Sequence, residues 1–241
     1  MESLSLIWTI ARKELRSYFN SPIAYIFLSV FLVLPAYFFF RGYFFIKVVD
    51  VRGYLDTVST VFLFLVPAIT MRTWAEEKKS GTIELLLTMP IKDYEIVFAK
   101  FLSSFLFLTI GLIFSVCVPL IVMYTGPLDW GVIASTYLGL LLLGGAYLSL
   151  GLFISALTDN QIIAFILSMV VCFVFYLIGQ VGFLVTMPGF LSPVFRFLGL
   201  SPHYASLARG VIDSRDVIYY LSFTGYFLYL NVRYIAGRRF Q

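Results

Sequence analysis

No charged side chain occurs from Phe101 to Met123, and none from Gln161 to Phe195. A helix crosses the hydrocarbon core of a bilayer with about 20 consecutive apolar residues. Runs of this kind leave few options for a chain of 241 residues. Only 12% of it is charged and 61% is hydrophobic, with a mean hydropathy of +0.95. Soluble domains carry about 25% charged residues. Half that share cannot cover a water-facing surface, so the expected class is an all-α integral membrane protein.

Six spans are predicted, near 22–41, 55–72, 95–124, 131–157, 161–186 and 217–236. Pro35, Pro67 and Pro119 fall inside them, where neighbouring helices can satisfy the freed carbonyls. Gln161–Phe195 is too long for one span and is punctuated by Pro188, Gly189 and Pro193. Two readings of its second part stand: a re-entrant apolar piece buried against protein, or an apolar outer loop. Residues 187–216 form the expected extracytoplasmic segment.

Ahead of the spans, residues 4–20 carry Leu4, Ile7, Trp8, Ala11, Leu15, Tyr18 and Phe19 at three- and four-residue steps, with Arg12, Lys13 and Arg16 off that stripe. This pattern suits a basic amphipathic helix lying in the membrane interface. Asn20-Ser21-Pro22 ends it, because the residue before a proline is pushed out of helical geometry. The N-terminus lacks the small-residue cleavage site of a signal peptide, so the first span is expected to remain in the mature protein.

Basic residues set the orientation. Eleven of the 17 fall on one side if the N-terminus is inside: Arg12, Lys13, Arg16, Arg72, Lys78, Lys79, Lys92, Lys100, Arg233, Arg238 and Arg239. Arg41, Lys47, Arg52, Arg196, Arg209 and Arg215 fall on the other. The bias predicts both termini in the cytoplasm, and with them the polar island between the second and third spans.

That island, Arg72–Pro90, holds Arg72, Glu76, Glu77, Lys78, Lys79 and Glu84. Trp74–Lys79 is expected to continue the second span as helix. Ser80-Gly81 stops it, glycine being the usual residue past a helix C-terminus. Thr82 then caps a short cross-helix with Glu84 in its first turn, where negative charge suits the dipole. Leu85, Leu86 and Leu87 make this helix apolar, and Asp93 caps the third span. A charged hairpin with an apolar cross-helix suits docking on another protein; the other reading is a helix resting on its own membrane surface.

Several chemistries are missing. There is no G-x-x-x-x-G-K-[ST] phosphate loop, so ATP is not bound here by that motif. One histidine, His203, rules out a multi-histidine site within this chain, and it is expected in a loop after Pro202. Cys117 and Cys172 read as small buried hydrophobes. Span centres are nearly free of ionisable groups, which usually mark ion or proton paths. A transporter built this way needs a motor elsewhere.

The segment Ala75-Glu-Glu-Lys-Lys-Ser-Gly-Thr-Ile-Glu-Leu-Leu-Leu-Thr-Met-Pro90 resembles the loop between the second and third spans of type-2 ABC transporter permeases. Arg12-Lys-Glu-Leu-Arg-Ser-Tyr-Phe-Asn-Ser-Pro-Ile-Ala-Tyr25 and Ala208-Arg-Gly-Val-Ile-Asp-Ser-Arg-Asp-Val-Ile-Tyr219 are similar to the gliding-motility-associated branch. The resemblance implies a permease subunit of the exporter type in a bacterial inner membrane that is not itself an enzyme. It implies two permease chains, as homodimer or heterodimer, with two cytosolic ATPase chains that carry ATP and magnesium; no cofactor is implied on this chain. It makes Thr82–Met89 the coupling helix and Leu4–Phe19 the connecting helix. The ATPase-contacting residues would be Glu76, Glu77, Lys78, Lys79, Gly81, Thr82, Glu84, Leu85, Leu86, Met89 and Pro90. The chain has no large extracytoplasmic domain, unlike the bigger companion permease of some such systems.

Two further features are open in meaning. Gly145, Ser149, Gly151 and Ser155 put small residues on the fourth span, where they permit close helix contact within the chain or across a dimer. Arg209, Asp213, Arg215 and Asp216 precede the last span, as contacts for substrate or an extracytoplasmic accessory protein, or as solvated anchors. Membrane lipids are expected partners and nucleic acid is not. A secondary carrier or channel, or a scaffold recruiting a cytosolic protein through the island, are the rival classes.

Overall fold

The computed structural model describes residues 2–46, 50–88, 91–180 and 192–238, and every regular element among them is helical. Met89, Pro90, Lys47, Arg239 and residues 181–191, which include the expected re-entrant piece, lie outside the described residues.

The N-terminal helix α1 is Glu2–Asn20, followed by α2, Pro22–Ile46, and α3, Arg52–Thr70. Two short helices, α4 (Ala75–Lys79) and α5 (Thr82–Thr88), form the polar island. Next come α6 (Asp93–Ser115), α7 (Cys117–Met123), α8 (Trp130–Leu157) and α9 (Gln161–Ile178). Short helices α10 (Ser192–Leu198) and α11 (Leu200–Leu207) lead to the long α12, Ser214–Arg238.

Five helical stretches are long and apolar enough to cross a membrane: Pro22–Tyr43, Arg52–Lys79, Asp93–Met123, Trp130–Leu157 and Gln161–Ile178. The sixth expected span falls on α12, a helix of 25 residues. It is not among the five. Tyr219, Tyr220, Tyr226, Tyr229 and Tyr234, together with Asn231 and Arg233, make it more polar than the others.

Helix α8 is the centre of the bundle, packed by α3, α6, α9, α11 and α12. Its small residues let this happen. A Cβ on Gly151 would lie 2.3 Å from Thr70 Oγ1, and one on Gly144 would lie 2.5 Å from Leu108 Cδ2. Gly145 faces the Phe105 and Phe101 rings, and Ser149 and Ser155 are fully buried. The small-residue face of the fourth span therefore serves packing within the chain. An aromatic ladder, Phe175–Phe223–Phe227 with ring centroids 5.2 and 4.8 Å apart, joins α9 to α12.

The third span is interrupted at Val116, a break the sequence reading did not place. Pro119 explains it. Proline has no N–H, so the Ser115 carbonyl four residues back loses its helical donor. Tyr54 Oη donates to that carbonyl instead, at 3.2 Å, so a side chain of α3 satisfies the break in α6–α7.

Three other residues differ from expectation. Cys172 is buried, but Cys117 is exposed on the bundle surface, and both are free. His203 is not in a loop. It sits on α11 with its Nδ1 2.7 Å from Asp216 Oδ1 and its ring stacked on Tyr219 at 3.9 Å. Pro202 is compatible with this because it falls in the first turn of α11, where its missing N–H removes no helical bond. Asp216, expected as a contact or solvated anchor, is 9% exposed and also accepts from the Ser206 hydroxyl. It ties α11 to α12.

A candidate coupling hairpin anchored by buried charge

The end of α3 does not run straight into the island. Residues 71–74 form a turn before α4 begins. The turn is held from the centre of the fold: Ser155 Oγ on α8 accepts from the Trp74 and Ala75 amides at 3.3 and 3.4 Å, and donates to the Met71 carbonyl at 3.3 Å. The first amides of a helix have no internal partner, and here a serine of the fourth span supplies one.

Lys100, two turns into α6, is 1% exposed. Its ammonium has three protons, and three acceptors surround it. Glu77 Oε1 on α4 is at 2.6 Å, Glu14 Oε1 on α1 at 3.2 Å and the Thr73 carbonyl at 3.1 Å. The Trp74 ring lies 4.9 Å away, close enough for a cation–π contact. One ammonium thus joins the N-terminal helix, the island and the third span. Burial of such a charge is tolerated only when it is paired and hydrogen-bonded.

Tyr18 extends the junction. Its hydroxyl lies 3.1 Å from Ser104 Oγ and 3.5 Å from Thr73 Oγ1, and its ring stacks on Phe107. Burial pushes the phenol above its ordinary pKa, against the opposing effect of those hydrogen bonds, so Tyr18 acts as a neutral partner. Ile7 and Ala11 of α1 pack with Ala99 beside it, while Arg12, Lys13 and Arg16 are exposed. Helix α1 therefore has a packed face and a basic face, while Leu4 and Trp8 of the predicted apolar stripe are exposed.

Lys78 makes a second anchor on the other side of α4. Its ammonium donates to the Ala156 carbonyl, lies 3.3 Å from Asp159 Oδ1 and sits over the Tyr234 ring. These contacts tie the hairpin to the α8–α9 connection and to α12. Arg72 and Glu76 form a two-bond pair at 2.9 and 3.1 Å on the surface. Exposed pairs of this kind contribute about 0–1 kcal/mol, so the buried anchors matter more.

Gly81 turns the chain with φ +71°, a left-handed conformation that glycine adopts without strain. Thr82 is the first helical residue of α5 and not its cap; its hydroxyl bonds back to the Glu77 carbonyl and to Ser80 Oγ. At the far end Lys92, not Asp93, holds the cap position of α6, and Glu95 reaches back to the Lys92 amide at 3.1 Å. On α5 itself, Ile83 is buried and Leu86 packs against the cluster of Trp74, Ile96, Val97 and Ile235. Thr82, Glu84 and Thr88 are exposed. The surroundings of the Leu85 and Leu87 side chains lie outside those described. Glu76 and Lys79 are on the hairpin surface, whereas Glu77 and Lys78 face inward as anchors.

Sequence reasoning counted Lys100 only as a cytoplasmic charge, placed Tyr18 only in the apolar stripe of α1 and did not single out Glu14 or Thr73. A signal was present. Lys100 is flanked by Phe98, Ala99, Phe101 and Leu102, and a cation set so far into an apolar helix requires partners.

A bundle of long apolar helices with one anchored, charged hairpin fits a multi-pass membrane protein. A family model described as ABC-2 family transporter protein matches residues 20–209, and the chain belongs to that family. Its role is transport across a membrane as a non-catalytic component, and the family implies an ABC ATPase partner in general terms. No curated protein matches the chain.

Proposed function

We propose that this chain is the membrane subunit of an ATP-driven exporter, and that the α4–α5 hairpin is where a cytosolic ATPase pushes on it. The observation that carries the reading is the double anchoring of α4. A helix exposed to a partner transmits force only if its base is fixed to the spans, and Glu77 with Lys100 and Lys78 with Asp159 fix it to α1, α6 and the α8–α9 connection. Two copies of the chain, or this chain with a second permease, sit over two ATPase chains, which carry ATP and magnesium. Both termini lie in the cytoplasm of a bacterial cell. Closure of the ATPases moves the two hairpins together, and the helices pass between two arrangements biased by nucleotide on the partner. Nothing observed assigns a gliding role.

Glu84 is exposed in the first turn of α5. In Glu84→Lys, a positive charge opposes the helix dipole and reverses the sign offered to the ATPase. The complex purified from membranes should retain the ATPase at least about tenfold less well, or lose transport-linked ATP hydrolysis, with membrane insertion unchanged. Normal retention together with normal hydrolysis would exclude α5 as the coupling element.

A further inference from the structure

At the end of the bundle opposite the hairpin, an open cleft of about 420 Å³ lies between α3, α8, α9 and α11. Arg52, Asp56 and Arg209 line it, with Tyr176, Gln180 and Ser201. Arg52 starts α3 and Arg209 follows α11, so residues distant in sequence meet here. Neither arginine forms an ion pair among the described residues. Hydrogen bonds tie the cleft wall together. Tyr204 Oη donates to the Leu55 carbonyl at 3.2 Å, and Gln180 Nε2 donates to Ser201 Oγ at 3.1 Å. Ser59 and Thr136 form a buried polar floor.

We infer that this cleft binds a phosphate-bearing polyol, with glycerophosphate as the minimal group, presented as the headgroup of an anionic lipid. Two guanidiniums in the lining of one cleft, neither within ion-pair distance of a carboxylate among the described residues, match phosphate oxygens, which arginine holds through its planar fork of donors. Asp56 in the same cleft accepts hydroxyl donors and disfavours a simple anion. Asp50, whose carboxylate accepts from the Arg52 amide at 2.9 Å, adds to the negative charge nearby and favours a ligand that brings hydroxyls as well as phosphate. The lipid source is favoured by α9, which forms one wall. Phe173, Val174 and Leu177 are exposed on it and give an acyl chain an apolar path away from the headgroup. Of the four residues the sequence singled out before the last span, Arg209 joins this cleft and Asp216 is buried elsewhere; Asp213 and Arg215 are not part of its lining.

The site does not depend on an ATPase. A failed Glu84→Lys test leaves it standing, and its own failure leaves the coupling hairpin standing. The test is native mass spectrometry of the full-length chain in detergent with added phosphatidylglycerol or phosphatidylcholine. The wild type should retain phosphatidylglycerol about tenfold better. Arg52→Gln with Arg209→Gln should bring that retention down to the phosphatidylcholine level. Arg41→Gln, an exposed charge outside the cleft, should not change it, and an unchanged helical spectrum shows that each variant is folded. Free glycerol 3-phosphate distinguishes the source. Displacement of lipid by millimolar ligand supports the same chemistry from a soluble molecule, and retained lipid supports the membrane source. Equal retention of the two lipids, or phosphatidylglycerol retention unaffected by the double variant, overturns the inference.

Discussion

Lys100→Met should destabilise the chain by about 3–5 kcal/mol, because it leaves the part-buried Glu14 and Glu77 facing each other without the cation that they share. Lys100 is 1% exposed and its three ammonium protons all have acceptors. Removing one partner of a buried ionic group costs far more than never having had the group, since the remaining charges keep their desolvation penalty. The triple variant Lys100→Met, Glu14→Gln, Glu77→Gln removes all three charges and should recover most of the loss. Thermal unfolding of the purified chain in detergent reads both outcomes. A loss below about 0.5 kcal/mol for Lys100→Met, the range of ordinary surface substitutions, would mean that water reaches the junction and that it does not fix the hairpin. If the coupling proposal holds, the triple variant also separates stability from force transmission: it should fold well yet couple poorly, because α1, α4 and α6 are no longer tied together.

The second large effect is steric. Gly151→Ala should cost about 1–3 kcal/mol, and Gly151→Leu more. The added Cβ would stand 2.3 Å from Thr70 Oγ1 and 3.0 Å from Thr70 Cβ. Thr70 is the last residue of α3, immediately before the turn that Ser155 holds, so relief of the clash displaces the base of the hairpin. Thr70→Ala removes the nearest atom. The double variant Gly151→Ala, Thr70→Ala should therefore be more stable than the sum of the single effects predicts, with an interaction energy of about 0.5–3 kcal/mol. Additive effects would show that α3 and α8 are looser here than the distances indicate.

The transmembrane architecture was readable because lipid imposes a simple rule. Charge-free runs such as Phe101–Met123 had to be spans, and the stripe in residues 4–20 had to pack on one face only. Gly81 was also readable, since a glycine between two short polar helices marks a left-handed turn, and φ +71° bears this out. Some features were out of reach because their causes are distant in the chain. Lys100 meets partners 86 and 23 residues away, and nothing local announces either. The His203–Asp216 pair needed the α11–α12 packing before a loop histidine could be seen as a part-buried, paired one. Leu86, an ATPase contact by the resemblance, also packs on the Trp74 cluster, while Thr82 and Glu84 of α5 are exposed. The last helix shows the limit of hydropathy itself: α12 packs along α8 as a span would, yet its tyrosines keep it out of the most apolar class.

The central claim is that the hairpin end of this bundle touches an ATPase. The most direct measurement is photo-crosslinking in native membranes from a reactive residue placed at Glu84, with one at Arg41 on the opposite end for comparison. The account predicts an adduct at position 84 with a protein carrying a phosphate-loop ATP site, and none at position 41. An ATPase adduct missing at position 84, or formed equally at both positions, would contradict it.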